Sequence, residues 1–406
     1  MNQFYNRSKC RTCDNEDIHL VFSLRQSPLC DAYLERRRQQ EYYDLDLLFC
    51  KACGLAQLKT VVDPEIIYRD YIYSTTSSTG LKKHFKTYAT EVHSYLKMQD
   101  YLGLTIDIGS NDGTLLGFFQ RKNHKVLGVE PATEIAKKAN NAGISTLPDF
   151  FDMHTAKKIN SQFGRAGLVT INNLFANVDN LGDFTKGLDI ILDEDGVIVI
   201  ETSYLLDMIN NMVFDYIYHE HLSYFSILPL VEFFKKFDMK LINLQGTSTK
   251  GGSLRYYWAR DKSKWTVDPC VSHLIKEERA ANISLKTFED FQKRINLVEN
   301  QLLGFLETRR DQKIVGYGAS ATSTTLISHF QLNQYFTYLV DDNPSKIGTY
   351  SPGYHIPVFG FSRLIDDPPD LIVILAWRFK DQILAKLVDI QCPVILPLPK
   401  FKVVRP

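Results

Sequence analysis

The chain has 406 residues, room for two or three domains of ordinary size. Apolar residues make up 44% and charged residues 23%, a globular composition that excludes wholesale disorder. Lys and Arg total 47 and Asp and Glu total 47, so no basic excess points to nucleic acid or an anionic membrane surface. No apolar run approaches the ~20 residues of a membrane span. Residues 1–7 lack the apolar core of a signal peptide, so a cytoplasmic protein that binds neither nucleic acid nor membrane is expected.

Cysteine spacing is the first motif along the chain. Cys10 and Cys13 form one C-x-x-C pair, Cys50 and Cys53 another. A reducing compartment disfavours structural disulfides, and two such turns aim four thiolates at one tetrahedral point suited to structural zinc. A redox dithiol is the rival, but the βαβ setting it needs is missing. All four positions are cysteine, which leaves no open coordination site for catalysis. The residues between the pairs are long enough for a small β-rich insert, and Cys30 reads as a small buried residue. Cys270 and Cys392 read as packing residues.

Residues 64–79 follow, rich in Tyr, Ser and Thr, including Tyr68, Tyr71 and Tyr73. Such a loop fits a ligand site or a solvated linker equally. A helix is expected from about 81 to 98. Strands at 105–109, 125–130, 168–171 and 197–200 alternate with helices at 114–120 and 134–141, the pattern of a parallel sheet covered on both faces. A second strand–helix series starts near 313, with strands at 313–317, 335–340 and 371–376. Between the two lies 272–303, free of Gly and Pro. Leu285, Phe288, Phe291, Ile295, Val298 and Leu302 recur there every three or four residues, which predicts one long amphipathic helix.

The loop Asp107-Ile-Gly109-Ser-Asn111-Asp112-Gly113 follows a strand and opens a helix. Its glycines admit close backbone approach, and the helix start offers free N–H groups. The spacing is not the G-x-G-x-x-G of dinucleotide folds, and Asp107 and Asp112 would repel a pyrophosphate. They suit a ligand with a positive centre and an amino acid end. Glu130 ends the next strand, where a carboxylate can take both ribose hydroxyls. S-adenosylmethionine fits all three features. Phe150 and Phe151 are candidates to pack on adenine and fit the core equally.

The turn Gly316-Tyr-Gly318-Ala319-Ser320 has no acid within it, so a phosphate at the helix start is reasonable, as is simple tight packing. Asp341, after the next strand, suits a ribose or a turn. Lys346, His355 and Arg378 are further polar residues of this half. The stretch Tyr218-His219-Glu220-His221-Leu222-Ser223-Tyr224 is dense in ionisable groups. H-E-H does not place both histidines on one helical face, so catalytic zinc is a poor reading. Imidazole beside carboxylate suits a general base.

These parts in this order, with Gly251-Gly252-Ser253-Leu254-Arg255 and the Gly316 to Ala321 turn, resemble the deoxysugar C-methyltransferases, which act at C-3 of nucleotide-linked 4-keto-6-deoxy sugars. The resemblance covers essentially the whole chain. It implies an α/β protein with a small zinc-binding module at 1–62, a Rossmann-like methyltransferase domain at 63–245 and a C-terminal Rossmann-like α/β domain at 246–406 holding the sugar nucleotide. Cys10, Cys13, Cys50 and Cys53 would hold structural zinc. Asp107, Gly109, Asn111, Asp112, Gly113, Glu130, Pro131 and Phe150 would form the site for the cofactor S-adenosylmethionine. His221 would be the base, with Tyr218 and Glu220 beside the sugar. Asn177, Tyr224, Arg255, Gly318, Ala319, Ser320, Asp341 and His355 complete the expected substrate contacts. The partner implied is a nucleotide-linked keto-deoxysugar, most simply a dTDP sugar, and the chain is expected to be a monomer. Relatives commonly carry a histidine where this chain has Asn177, which cannot act as a base and shifts weight to His221. The other classes in view are an O- or N-methyltransferase for another small molecule and a non-enzymatic zinc- and nucleotide-binding module.

Overall fold

The structure, a computed structural model, describes residues 3–68, 80–97, 103–247 and 249–405. The expected Tyr- and Ser-rich loop therefore lies outside the described residues from 69 to 79. Three larger sheets organise the rest. A four-stranded antiparallel sheet runs Ser223–Tyr224, Ala56–Leu58, Tyr43–Cys50, Ile18–Ser27. The insert between the cysteine pairs is therefore β structure, as expected, and the fourth strand of its sheet comes from far along the chain.

The central sheet has seven strands in the order Met239–Thr247, Ser253–Arg260, Leu192–Ser203, Ala166–Asn172, Leu104–Ile108, Lys125–Val129, Thr146–Leu147. The last five are parallel, and Ser253–Arg260 is antiparallel to both its neighbours. The sheet thus continues to Arg260. The hairpin of its first two strands escapes the sequence reading because a Lys250-Gly251-Gly252 turn carries the chirality. Gly252 sits at φ +123, and a Cβ there would lie 2.5 Å from that of Asp207.

The third sheet runs Val358–Phe359, Phe336–Val340, Ile314–Tyr317, Leu371–Ile374, Val394–Leu396, Lys402–Val404, all parallel but the last. The predicted long helix is two, Pro269–Ala281 and Leu285–Glu307. Asn282 takes the left-handed conformation at φ 48, and Ser284 with Thr287 forms a capping box that starts the second helix. Asparagine can stop a helix as glycine does. The second helix buries Phe288, Phe291, Ile295, Val298 and Leu302, the predicted face. That face packs with Phe22, Leu45 and Phe49 of the N-terminal sheet and with Ile314 and Leu339 of the C-terminal one, in one core.

The two cysteine turns have the same form. Asp14 donates its N–H to the Cys10 carbonyl at 3.0 Å and Gly54 donates to that of Cys50 at 2.8 Å. Both turning residues are left-handed, at φ 58 and 86. The sulfurs pair across the turns at 3.5 Å (Cys10 and Cys53) and 3.6 Å (Cys13 and Cys50), and all four lie within 4.8 Å of one another. Tetrahedral zinc with Zn–S of about 2.3 Å needs sulfurs ~3.8 Å apart. The four cysteines fit zinc as ligands.

Arg11, between Cys10 and Cys13, ties this turn to the middle of the protein. Its buried guanidinium donates to the carbonyls of Leu58 (2.8 Å) and Leu222 (3.0 Å) and to the Asp179 carboxylate (2.9 Å). Arg7 and Tyr5 bind the same carboxylate. Three anchors on one knuckle side chain make the module part of the cleft described below.

One zinc per chain is expected from elemental analysis of the purified protein. Chelation or Cys10→Ser should unfold the N-terminal module, read as loss of cooperative unfolding and early proteolysis within residues 10–62. Full metal content in the Cys10→Ser protein would exclude this site.

Candidate active site

The carboxyl ends of the central and C-terminal sheets face one cleft of about 2080 Å³. Single small-ligand pockets are typically about 300–1,000 Å³, so this one has room for two ligands side by side. Both glycine turns open on it.

At the first turn Gly109 is left-handed at φ +72, and a Cβ would press on Leu174 at 3.1 Å. Its N–H donates to the Val129 carbonyl at 2.8 Å. The next residue, Glu130, is buried and accepts the Asn111 N–H at 3.0 Å and the Ala132 N–H at 2.9 Å, one on each oxygen. Burial raises its pKa, while those two N–H groups pull it back. Each oxygen keeps a lone pair for a ligand hydroxyl. Asp107 is buried more deeply; burial pushes its pKa up to about 7 against the hydrogen bonds from Thr170 and Asn172. Pro131, Phe150 and Phe151 also line the cleft, and Phe151 packs edge-on against Phe184, 5.0 Å between ring centres.

The second turn repeats this design. The Gly318 N–H donates to the Val340 carbonyl at 2.7 Å, and a Cβ on Gly318 would meet the Ala376 backbone nitrogen at 2.7 Å. The following residue, Asp341, accepts the Ala319 N–H at 2.5 Å and the Asn343 N–H at 2.8 Å. Asp341 is thus the counterpart of Glu130. The turn itself holds no acid, as expected, and the neighbouring strand delivers one to it. Ser320 lines the cleft and caps the following helix through the Ser323 N–H. Arg378 also reaches the cleft, held by Thr322 and bidentately by buried Asp215, both bonds to Asp215 at 3.0 Å.

Between the turns lies the Tyr-His-Glu-His stretch. His221 is stacked against Tyr216 and Tyr218, with ring centres 4.2 and 4.3 Å away. Its Nδ1 lies 2.9 Å from the Tyr216 carbonyl, a contact that only an N–H can make. Nε2 is left as the acceptor. Burial pushes the pKa down to about 3; the Tyr216 carbonyl opposes this and the Lys250 charge adds to it. Tyr218, Glu220 and Asn177 line the same region. The Leu222 N–H donates to the Ala176 carbonyl at 2.8 Å, which joins the His221 and Asn177 segments. The Asn177 Oδ1 and the Tyr216 hydroxyl are buried without a partner among the described residues, as suits groups that meet a ligand.

Several expected contacts are absent from the cleft. Asp112 instead caps the next helix through Thr114, and Gly113 supplies its left-handed start. Tyr224 is the short strand paired to Ala56, with its ring in the core. Arg255 is buried against Glu201 and Glu91, and His355 bonds the Arg38 carbonyl of the N-terminal module. His219 points into that module, edge-on to Tyr43 at 5.5 Å. Conversely, His84 lines the cleft and was not singled out. A lone histidine on a helix carries no sequence signal; its partner Glu201 is more than a hundred residues away.

Three family models match in order: a zinc binding domain over residues 10–68, a methyltransferase domain over 81–244 and a C-methyltransferase C-terminal domain over 248–399. With the four-cysteine cluster, they define an S-adenosylmethionine-dependent C-methyltransferase with zinc-binding N-terminal and dedicated C-terminal domains. The chain is related to C-methyltransferase NovU of Streptomyces niveus, 26% identical over 406 residues, covering 98% of this chain and 96% of that protein. Among solved structures, the plantazolicin methyltransferase BpumL in complex with SAH aligns with TM-score 0.36 and 13% identity, over 46% of this chain and 89% of that one. Magnesium protoporphyrin IX methyltransferase ChlM of Synechocystis with bound SAM aligns with TM-score 0.34 and 10% identity, over 47% and 85%. No helix among the described residues is long and apolar enough to cross a membrane.

Glu130→Ala should weaken S-adenosylmethionine binding by roughly 10- to 100-fold, since charge-assisted bonds contribute ~1.5–3 kcal/mol each. Calorimetry on the purified protein measures it, and an unchanged affinity would put the ribose elsewhere.

Proposed function

We propose that the protein transfers the methyl group to C-3 of a nucleotide-linked 4-keto-6-deoxy sugar, with His221 as general base. The observation that supports this reading is the state of His221. Its Nδ1 proton is committed to the Tyr216 carbonyl, and its buried ring, stacked on two tyrosines, stays neutral. Nε2 is therefore a fixed proton acceptor inside the cleft. Oxygen and nitrogen acceptors carry lone pairs already; carbon must first lose a proton. A ketone at C-4 acidifies the C-3 hydrogen, and Nε2 takes that proton. The electron pair of the broken C–H bond becomes the enolate, which would form the new carbon–carbon bond as the sulfur–methyl bond breaks, its electron pair staying on sulfur and S-adenosylhomocysteine leaving. S-adenosylmethionine, on the Gly109 and Glu130 side, supplies an electrophilic methyl on sulfonium. Tyr218, which lines the cleft beside His221, would donate to the C-4 oxygen as negative charge builds there. Glu220 and Asn177 border the same space.

The second cradle supports a nucleotide-linked acceptor. Gly318 and Asp341 reproduce the Gly109 and Glu130 arrangement, so the C-terminal half offers a carboxylate to a nucleoside sugar at the point where the sheet order reverses about Ile314–Tyr317. Arg378 and Thr322 lie beside it for the diphosphate. The cleft volume accommodates this ligand together with the methyl donor.

The base assignment is tested with dTDP-4-keto-6-deoxyglucose, following product mass and exchange of the C-3 hydrogen in deuterium oxide. His221→Asn should lower kcat by ~10²–10⁴-fold, with the affinity for S-adenosylmethionine unchanged. His219→Asn, whose ring faces the N-terminal module, should change kcat by less than ~10-fold. Normal exchange in His221→Asn would remove it from the role.

The pH dependence follows from burial. A base acts in its deprotonated form, and His221 stays deprotonated until the pH falls toward about 3. His221 itself should therefore add no loss of activity titrating near 6.5, the ordinary histidine value, to the acid limb of kcat/KM, so any limb near neutral pH should persist in His221→Asn. A single limb at about 6.5 that disappears in His221→Asn would contradict the neutral, buried imidazole.

A further inference from the structure

One titratable cluster at the cleft takes no part in the reading above. The helix Leu81–Tyr95 lies across one face of the central sheet, with Phe85, Tyr88, Ala89 and Val92 in a core with Leu168, Val197 and Tyr257. At the carboxyl end of that face, side chains from four adjacent strands form a row. Strand register puts Asp107 beside Thr170, Asn172 beside Glu201, and Glu201 beside Arg255. His84, on the first turn of the helix, drops onto this row. Its Nε2 lies 2.6 Å from Glu201 Oε1, and its ring lines the cleft.

Glu201 is built for this partner. It is 1% exposed and is held from the other side by Arg255, with Nε at 3.0 Å and Nη2 at 2.9 Å from Oε2. Arg255 in turn binds Glu91 and stacks over Tyr88, 3.9 Å from the ring centre. Burial opposes ionisation of Glu201, but the His84 bond and the Arg255 charge outweigh it and keep the carboxyl below its ordinary range. Such a network fixes the imidazole with one nitrogen engaged. Its Nδ1 has no protein partner among the described residues.

The other end of the row has the opposite character. Asp107 and Asn172 both present oxygen there, and the Asn172 Oδ1 is buried with no partner among the described residues. Adjacent strands are about 4.8 Å apart, so these acceptors and His84 are separated by the length of a small zwitterion. Acceptors gather where an ammonium is wanted and an imidazole stands where a carboxylate is wanted.

We propose that His84, positioned by Glu201, binds the α-carboxylate of the methionine end of S-adenosylmethionine, with Asp107 and Asn172 on its ammonium. In this role one ring nitrogen faces Glu201 and the other the ligand. The proposal rests on the donor side of the cleft and is independent of the acceptor sugar and of His221.

Two ligands separate the parts. S-adenosylhomocysteine carries the amino acid end; 5′-methylthioadenosine carries only the adenosine end. Calorimetry of the full chain should show His84→Ala losing about 10- to 100-fold in affinity for S-adenosylhomocysteine while binding 5′-methylthioadenosine within about twofold of the unaltered protein. Retained 5′-methylthioadenosine binding is itself the control for folding; His84→Gln, which keeps volume and neutral hydrogen bonding, should show the same selective loss if His84→Ala does not fold. Equal losses for the two ligands, or no loss for S-adenosylhomocysteine, would overturn the assignment. Failure of the Glu130→Ala prediction would instead question the adenosine end, so the two outcomes are distinguishable.

Discussion

A buried guanidinium cannot be left unpaired, and Arg11 makes that rule the hinge of the structure. It sits inside a zinc knuckle, where the backbone has little freedom, and it needs acceptors in fixed directions. Those it finds are the carbonyls of Leu58 and Leu222 and the carboxylate of Asp179. Leu222 follows His221, and Asp179 follows the Asn177 segment by two residues. The cysteine site therefore constrains the backbone that carries His221. Pairing of Ala56–Leu58 with Ser223–Tyr224 makes the same connection through strands. The zinc module is a wall of the cleft as well as a small domain of its own.

The two glycine turns show how one local solution serves twice. In each, a strand ends in glycine whose N–H closes on the last residue of the neighbouring strand. The next residue of that neighbour is an acid, which anchors itself on one N–H of the turn and one of its own loop. The carboxylate is thereby oriented before any ligand arrives, and its remaining lone pairs point into the cleft. Glutamate serves on the donor side and aspartate on the other.

Burial divides the histidines. His221 is stripped of water and kept neutral, so its ring carries no second proton. His84 sits on a buried carboxylate that is itself backed by Arg255, which suits a charged partner. His219, equally buried, faces Tyr43 with neither ring nitrogen bonded among the described residues and has no access to the cleft. Three similar side chains acquire different chemistry from what surrounds them.

Local rules carried much of this in the amino-acid order itself. The C-x-x-C spacing, the alternation of strand and helix, the glycine turn before Thr114 and the apolar stripe from Phe288 to Leu302 each act within a few residues, where spacing alone sets geometry. The resemblance in motif order added the roles of Glu130 and His221. Other features required the folded chain. The break at Asn282 depends on one residue taking a left-handed conformation, which composition does not reveal. Arg255 and Tyr224 left the cleft because burial demanded nearer partners, two carboxylates and a strand edge, and His355 left it for the Arg38 carbonyl. Asp341, expected there, lines it at the second turn, and His84 entered it because strand register placed Glu201 beneath it. A side chain's reach into a site is decided by sheet order and packing between residues distant in sequence, and no local pattern records it.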